Sequence, residues 1–146
     1  LVVYHGAAQT VGIRFNGLAI PQDATILSAY VQFTVDEASD GGTTLNIWGE
    51  AADDAGTFVA ISGNISSRPR TTASAVWLPP AWQAVGEAGV DQQTVDIGAV
   101  IQEIVSRSAW SSGTSLALII AGSGDRVAES FNGDQAAAPR LHIVFS

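Results

Sequence analysis

The chain contains no cysteine, no methionine and no lysine. Without cysteine neither disulfides nor thiolate metal sites can form, although a domain of this size folds without such bridges. The missing methionine extends to position 1, where Leu1-Val-Val-Tyr4 already reads as a strand. The chain is therefore expected to be a mature or excised piece, with any signal peptide lying outside it. Charge is sparse, at 14% of residues, and six arginines face fourteen acidic side chains for a net charge of −8. That balance argues against nucleic acid and anionic membranes as partners, because their phosphates have to be neutralised by Lys and Arg. No apolar run approaches the ~20 residues that span a bilayer. The longest, Leu116–Ala121, has the length of a strand, so no membrane insertion is expected.

What is present points to one globular domain. A chain of 146 residues that is 47% hydrophobic can bury a core and is too apolar for disorder. The segment Val11–Glu37 carries the clearest pattern. A short strand runs into the turn Gly17–Pro21, and a long alternating strand follows. Leu27, Ala29, Val31, Phe33 and Val35 share one face, with Ser28, Gln32 and Thr34 on the other, as in a strand half in a core and half in water. Strands are expected at Leu1–Tyr4, Thr10–Phe15, Ile26–Val35, Thr43–Glu50, Ala73–Trp77, Gln93–Val95, Ser115–Ala121, Val127–Phe131 and Arg140–Phe145. Gly41-Gly42 and Gly122–Asp125 read as hairpin turns, since glycine tolerates the positive φ that such turns require. Many short strands punctuated by Gly and Pro imply an all-β fold, a β-sandwich of jelly-roll type.

One segment departs from the β pattern. Ile97, Val100, Ile101, Ile104 and Val105 recur at helical spacing, with Gln102, Glu103 and Ser106 opposite and Asp96 placed to cap. A short amphipathic helix over Ile97–Arg107 is expected, laid across one end of the sandwich. Ala51–Trp82 is long and irregular, and such connections tend to be functional or mobile.

Four motifs in order resemble the DNRLRE-domain family. They are RFNGLAIPQDATILSAYVQFTV (14–35), VWLPP (76–80), VDIGAVIQEIV (95–105) and ESFNGDQAAAPRLHIVF (129–145). The name-giving DNRLRE string is absent, and the tryptophan motif is extended to WLPPAW. The resemblance implies a bacterial secreted or cell-surface jelly-roll module of the kind appended to polysaccharide-degrading enzymes or adhesins, with some relatives that bind carbohydrate.

Four tryptophans suggest a stacking surface for sugar rings, whose apolar C–H faces lie against flat aromatics while neighbouring polar groups bond the hydroxyls. The resemblance of VWLPP to the family's motif implies that Trp77 belongs to the framework. Trp82, held off by the stiff Pro79-Pro80 spacer, together with Trp48, its neighbour Asn46, and Trp110, are the carbohydrate candidates. Calcium, as a structural ion, needs six to eight oxygens from loops. Asp36, Asp40, Asp53 and Asp54 are the candidate ligands, although the two pairs lie a strand-length apart. His5 and His142 are read as structural or surface residues. Of Arg68 and Arg70, which could meet an anionic sugar, pairing with the domain's own carboxylates is the favoured reading. No nucleophile motif is present: Ser123 lies between glycines but lacks a strand–turn–helix setting.

The expectation is a non-catalytic module, extracellular or on a cell surface, that binds or is displayed on polysaccharide. A structural role as an adhesin repeat or filament subunit, with like copies as partners, is the alternative. An exposed aromatic platform would favour the first and a strand edge paired with a neighbour the second.

Overall fold

A computed structural model describes residues 9–146; the strand expected at Leu1–Tyr4, and His5, lie outside the described residues. The fold is an all-β sandwich of jelly-roll type with one short α-helix. One layer is a four-stranded antiparallel sheet in the order β1 (Val11–Phe15), β6 (Leu116–Ser123), β4 (Thr44–Glu50), β5 (Arg70–Trp77). The other is built from β2 (Ile26–Gln32) paired with β8 (Arg140–Phe145), and β3 (Val35–Glu37) paired with β7 (Val127–Ala128). Among the described residues β4 and β5 are the one pair of partners that follow each other in sequence. The connections from β1 to β2, β3 to β4 and β6 to β7 cross between the layers, while β2 to β3 and β7 to β8 stay within one, a winding of jelly-roll type.

Both expected hairpins are therefore corrected. Strand β3 bonds β7 and not β4, so Gly41-Gly42 carries the chain from one layer to the other, and the turn after β6 does the same. Gly124 there has φ +88°, which only glycine adopts without strain, and a Cβ on it would run into Thr43. The glycines marked turns correctly, but turns alone do not name the strand that comes next.

Alternation held with one local exception. Ala29, Val31, Phe33 and Val35 are all buried, whereas Leu27 is 60% exposed. The register between β2 and β8 shifts between Ile26 and Ser28, and this irregularity turns Ile26 toward the core and Leu27 out. The single strand expected over Ile26–Val35 breaks at Phe33-Thr34, where the chain exchanges β8 for β7 as its partner. Strand β7 ends early because the bonds from the Gly133 and Asp134 amides to the Ser130 carbonyl start a turn.

The helix α1 (Gly98–Val105) buries Val100, Ile101, Ile104 and Val105 as the spacing required. Its polar face is not idle. Glu103 accepts from the amides of Thr72 and Ala73 on the edge of β5, at 2.8 and 2.9 Å. Gln102 accepts from Ile26 on β2 at 2.9 Å and donates to the Ala24 carbonyl at 3.0 Å. The helix thus joins the two layers by supplying acceptors to strand edges that would otherwise present open amides. Asp96, expected as the N-cap, lies one residue before it: Ile97 holds the cap position, and Asp96 accepts from the Gly98 amide and from Ala29 of β2 with the same oxygen. Gln93–Val95, expected as a strand, is an irregular run along β2, bonded partly through the Thr94 hydroxyl, after a 3₁₀ turn at Val90–Gln92. No described helix is long and apolar enough to cross a membrane.

Candidate functional site

Of the four tryptophans, three are core. Trp77, Trp82 and Trp110 are 3%, 1% and 2% exposed. Trp82 lies against Phe33 and Trp77 with ring centroids 6.3 Å apart in each pair, and its indole N–H donates to the Asp91 carbonyl at 3.0 Å. Its backbone is pinned on both sides to Ser39. Trp110 donates to the Ile20 carbonyl at 3.0 Å. Neither ring offers a face to a ligand, so the assignment of Trp82 and Trp110 to sugar stacking is corrected: the Pro79-Pro80 segment turns Trp82 inward. The turn is held by Arg126, which is 1% exposed and donates to the carbonyls of Pro80 (2.9 Å) and Pro79 (3.1 Å) and to the Thr43 hydroxyl (2.9 Å). Burial lowers the Arg126 pKa from the usual guanidinium value, while Asp125 and Asp40 work the other way. An arginine between Asp125 and Val127 gives no sequence signal for such a clamp.

Trp48 stands apart. Strand parity points Leu45 and Ile47 into the core and Asn46 and Trp48 outward, and the outer face of the four-stranded sheet is arranged in rows across the strands. One row is Gly12, Ile119, Trp48, Ser74, and the next is Ala121, Asn46, Val76. The irregular 51–69 loop folds back over part of this face. Arg14 donates to the Ala55 carbonyl at 2.6 Å. Phe58 lies so close over Gly12 that a Cβ there would sit 2.6 Å from its ring. Arg68 stacks over Phe58 and binds Glu50 at 2.9 Å. This buries Ile119 completely and leaves Trp48 partly exposed beside Asn46, Ser74 and Val76. Arg70 extends over Trp48, its guanidinium carbon 4.4 Å from the ring centroid, a favourable cation–π arrangement. Intramolecular pairing, favoured for both arginines, holds for Arg68. Among the described residues Arg70 faces an aromatic ring and no carboxylate.

The aspartates named for calcium do not converge. Asp53 binds Arg107 at 2.7 Å and Asp54 accepts from the Ser115 amide at 2.8 Å, both beyond the end of β4. Asp36 and Asp40 lie beyond its start, the length of the strand away, about 20 Å. Among the described residues no three His, Asp or Glu side chains group as metal ligands would. Asp36 instead meets Glu129, whose pKa is raised by desolvation first, then by the charge of Asp36 and its hydrogen bond, then by Asp134. A raised carboxylate favours the folded state below the ordinary carboxylate pKa, and that contribution is lost as pH rises through the folded value. Glu129→Gln is therefore expected to melt above the wild type at pH 7, with the gap narrowing toward pH 4. Thermal melts across that range check it.

His142 is exposed and stacks on Tyr30 across β2 and β8, with centroids 4.8 Å apart, a surface role as expected. One concavity has no counterpart among the sequence motifs. A groove of about 590 Å³ runs beside β1, between Ile13, Phe15 and Asn16 on one side and Phe131 and Asn132 on the other, with Phe58 at its rim. Comparison with known proteins returns no matching family model, no similar curated protein and no similar solved structure.

Proposed function

We propose that this domain is a non-catalytic module that binds polysaccharide through the outer face of its four-stranded sheet, in an extracellular or cell-surface setting. The observation that carries the reading is Trp48, the one tryptophan left on a solvent-facing sheet surface, among side chains that suit sugar hydroxyls. Ser74 is the cross-strand partner of Trp48 on β5, and Asn46 lies two residues before Trp48 on the same face of β4. Arg70 holds a cation against the ring and can reach sugar oxygens from there. A sheet surface fixes these groups without loop ordering, so little entropy is lost on binding. The order of the four DNRLRE-like motifs supports the same reading.

The test is a glycan-array screen followed by calorimetry on Trp48→Ala. Removal of one stacking ring should weaken binding about tenfold or more while the melting temperature stays near the wild-type value. A wild-type domain that retains no glycan would sink the proposal.

Assembly with like copies, as an adhesin repeat or filament subunit, is the second reading. One observation favours it: Leu27, Val144 and Phe145 are 60%, 55% and 39% exposed and gather at one end of the β2–β8 pair. Sedimentation over a wide concentration range decides this, and a monomer throughout removes it.

A further inference from the structure

We infer that the groove beside β1 is a second sugar-binding site, taking a pyranose unit of a glycan chain; the inference rests on the polysaccharide reading above. Its walls have the dual chemistry that a sugar ring requires. Phe15 and Phe131 supply phenyl surface for an apolar C–H face, and Asn16 and Asn132 supply amides for the hydroxyls. The amides are uncommitted where it matters. Among the described residues Asn16 uses only its oxygen, accepting from Arg14 and Ser115, and its NH₂ meets no acceptor. Among the described residues Asn132 makes no internal side-chain bond. Phe131 is 61% exposed, which for a large aromatic side chain costs free energy unless a ligand covers it.

Rigidity supports the assignment. Phe131 and Asn132 sit in a turn closed by bonds from the Gly133 and Asp134 amides to the Ser130 carbonyl, at 3.1 and 2.9 Å, and by a further bond from Gly133 to the Ser130 hydroxyl. The opposite wall is a sheet strand. The volume lies within the range of small-ligand clefts and is too small for a helix. The groove is also near the Trp48 face: Phe58, at its rim, covers Gly12, and Gly12, Ile119 and Trp48 share one row of the sheet. Two strand spacings, about 10 Å, separate the Gly12 and Trp48 positions. Phe58 and Arg68 lie over the sheet between them, so a glycan chain that engages both sites has to pass over this loop.

The experiment uses the whole domain and soluble xylo-, cello-, alginate- and galacturonate-oligosaccharides of two to eight units. Affinity is read by calorimetry, and the site by amide shifts in ¹H–¹⁵N spectra. Phe131→Ala and Asn132→Ala are expected to lose about five- to tenfold in affinity for the longer oligomers at an unchanged melting temperature. Disaccharides should shift the amides of Ile13, Asn16, Phe131 and Asn132. If Trp48→Ala loses binding while both groove variants bind as wild type, the groove proposal is overturned and the Trp48 reading stands. If no oligosaccharide binds the wild type, both fall. If an extended apolar peptide shifts the groove amides and no sugar does, the groove is a strand-docking site and the proposal is wrong.

Discussion

Replacing Trp82 with alanine should lower the stability of this domain by about 3–5 kcal/mol, the range found when a large aromatic is removed from a packed core. The ring is 1% exposed and lies against Phe33 and Trp77, which themselves stack at 5.7 Å. Its N–H is the donor to the Asp91 carbonyl, so truncation also leaves that acceptor without its partner. Two backbone bonds to Ser39 remain, so the chain cannot easily collapse into the void, and incomplete relaxation is what makes such cavities costly. The measurement is a chemical-denaturation curve at equilibrium, paired with glycan binding corrected to the folded fraction. Binding per folded molecule is expected to be unchanged. A variant that melts with the wild type but no longer binds sugar would return Trp82 to the surface role that its Pro-Pro spacer suggested.

That inversion shows where the sequence was readable and where it was not. Pro79-Pro80 does stiffen the segment, a local property of the two rings. Its direction is set by Arg126 and Ser39, some forty residues away on either side, and no local pattern encodes such partners. Strand parity is local too and by itself puts Trp48 and Asn46 off the Leu45/Ile47 face, while the irregularity that turns Leu27 outward depends on its pairing with β8. The apolar stripe of α1 was visible in its spacing. The use of Gln102 and Glu103 was not, because on the sequence they read as a solvent face and in the fold they complete the edges of β2 and β5. The groove was invisible for the same reason: Phe15, Phe58 and Phe131 are far apart in the chain and meet only when β1 lies beside the turn after β7.

The second large effect is expected from Arg126→Met. Methionine keeps most of the apolar stem and removes the guanidinium, leaving the Pro79 and Pro80 carbonyls and the Thr43 hydroxyl without their donor. Proline offers its neighbours no N–H, so the carbonyls of this segment have few alternative partners nearby. Hydrogen bonds from a charged group are worth ~1.5–3 kcal/mol each, and part of that gain is spent on burying the charge. A net loss of about 3 kcal/mol is therefore expected. Lysine restores the charge but presents a compact ammonium where a planar fork spans four acceptors, the Asp125 carbonyl included, so Arg126→Lys should fall between the wild type and Arg126→Met. Because the clamp holds the segment leading into Trp82, Arg126→Met combined with Trp82→Ala should cost less than the sum of the two, as expected for residues that act through one element. The double-mutant cycle measures that coupling directly. Additive losses would mean that Arg126 and Trp82 stabilise the domain independently, and an Arg126→Met variant as stable as the wild type would leave the Pro-Pro turn holding its shape without the clamp.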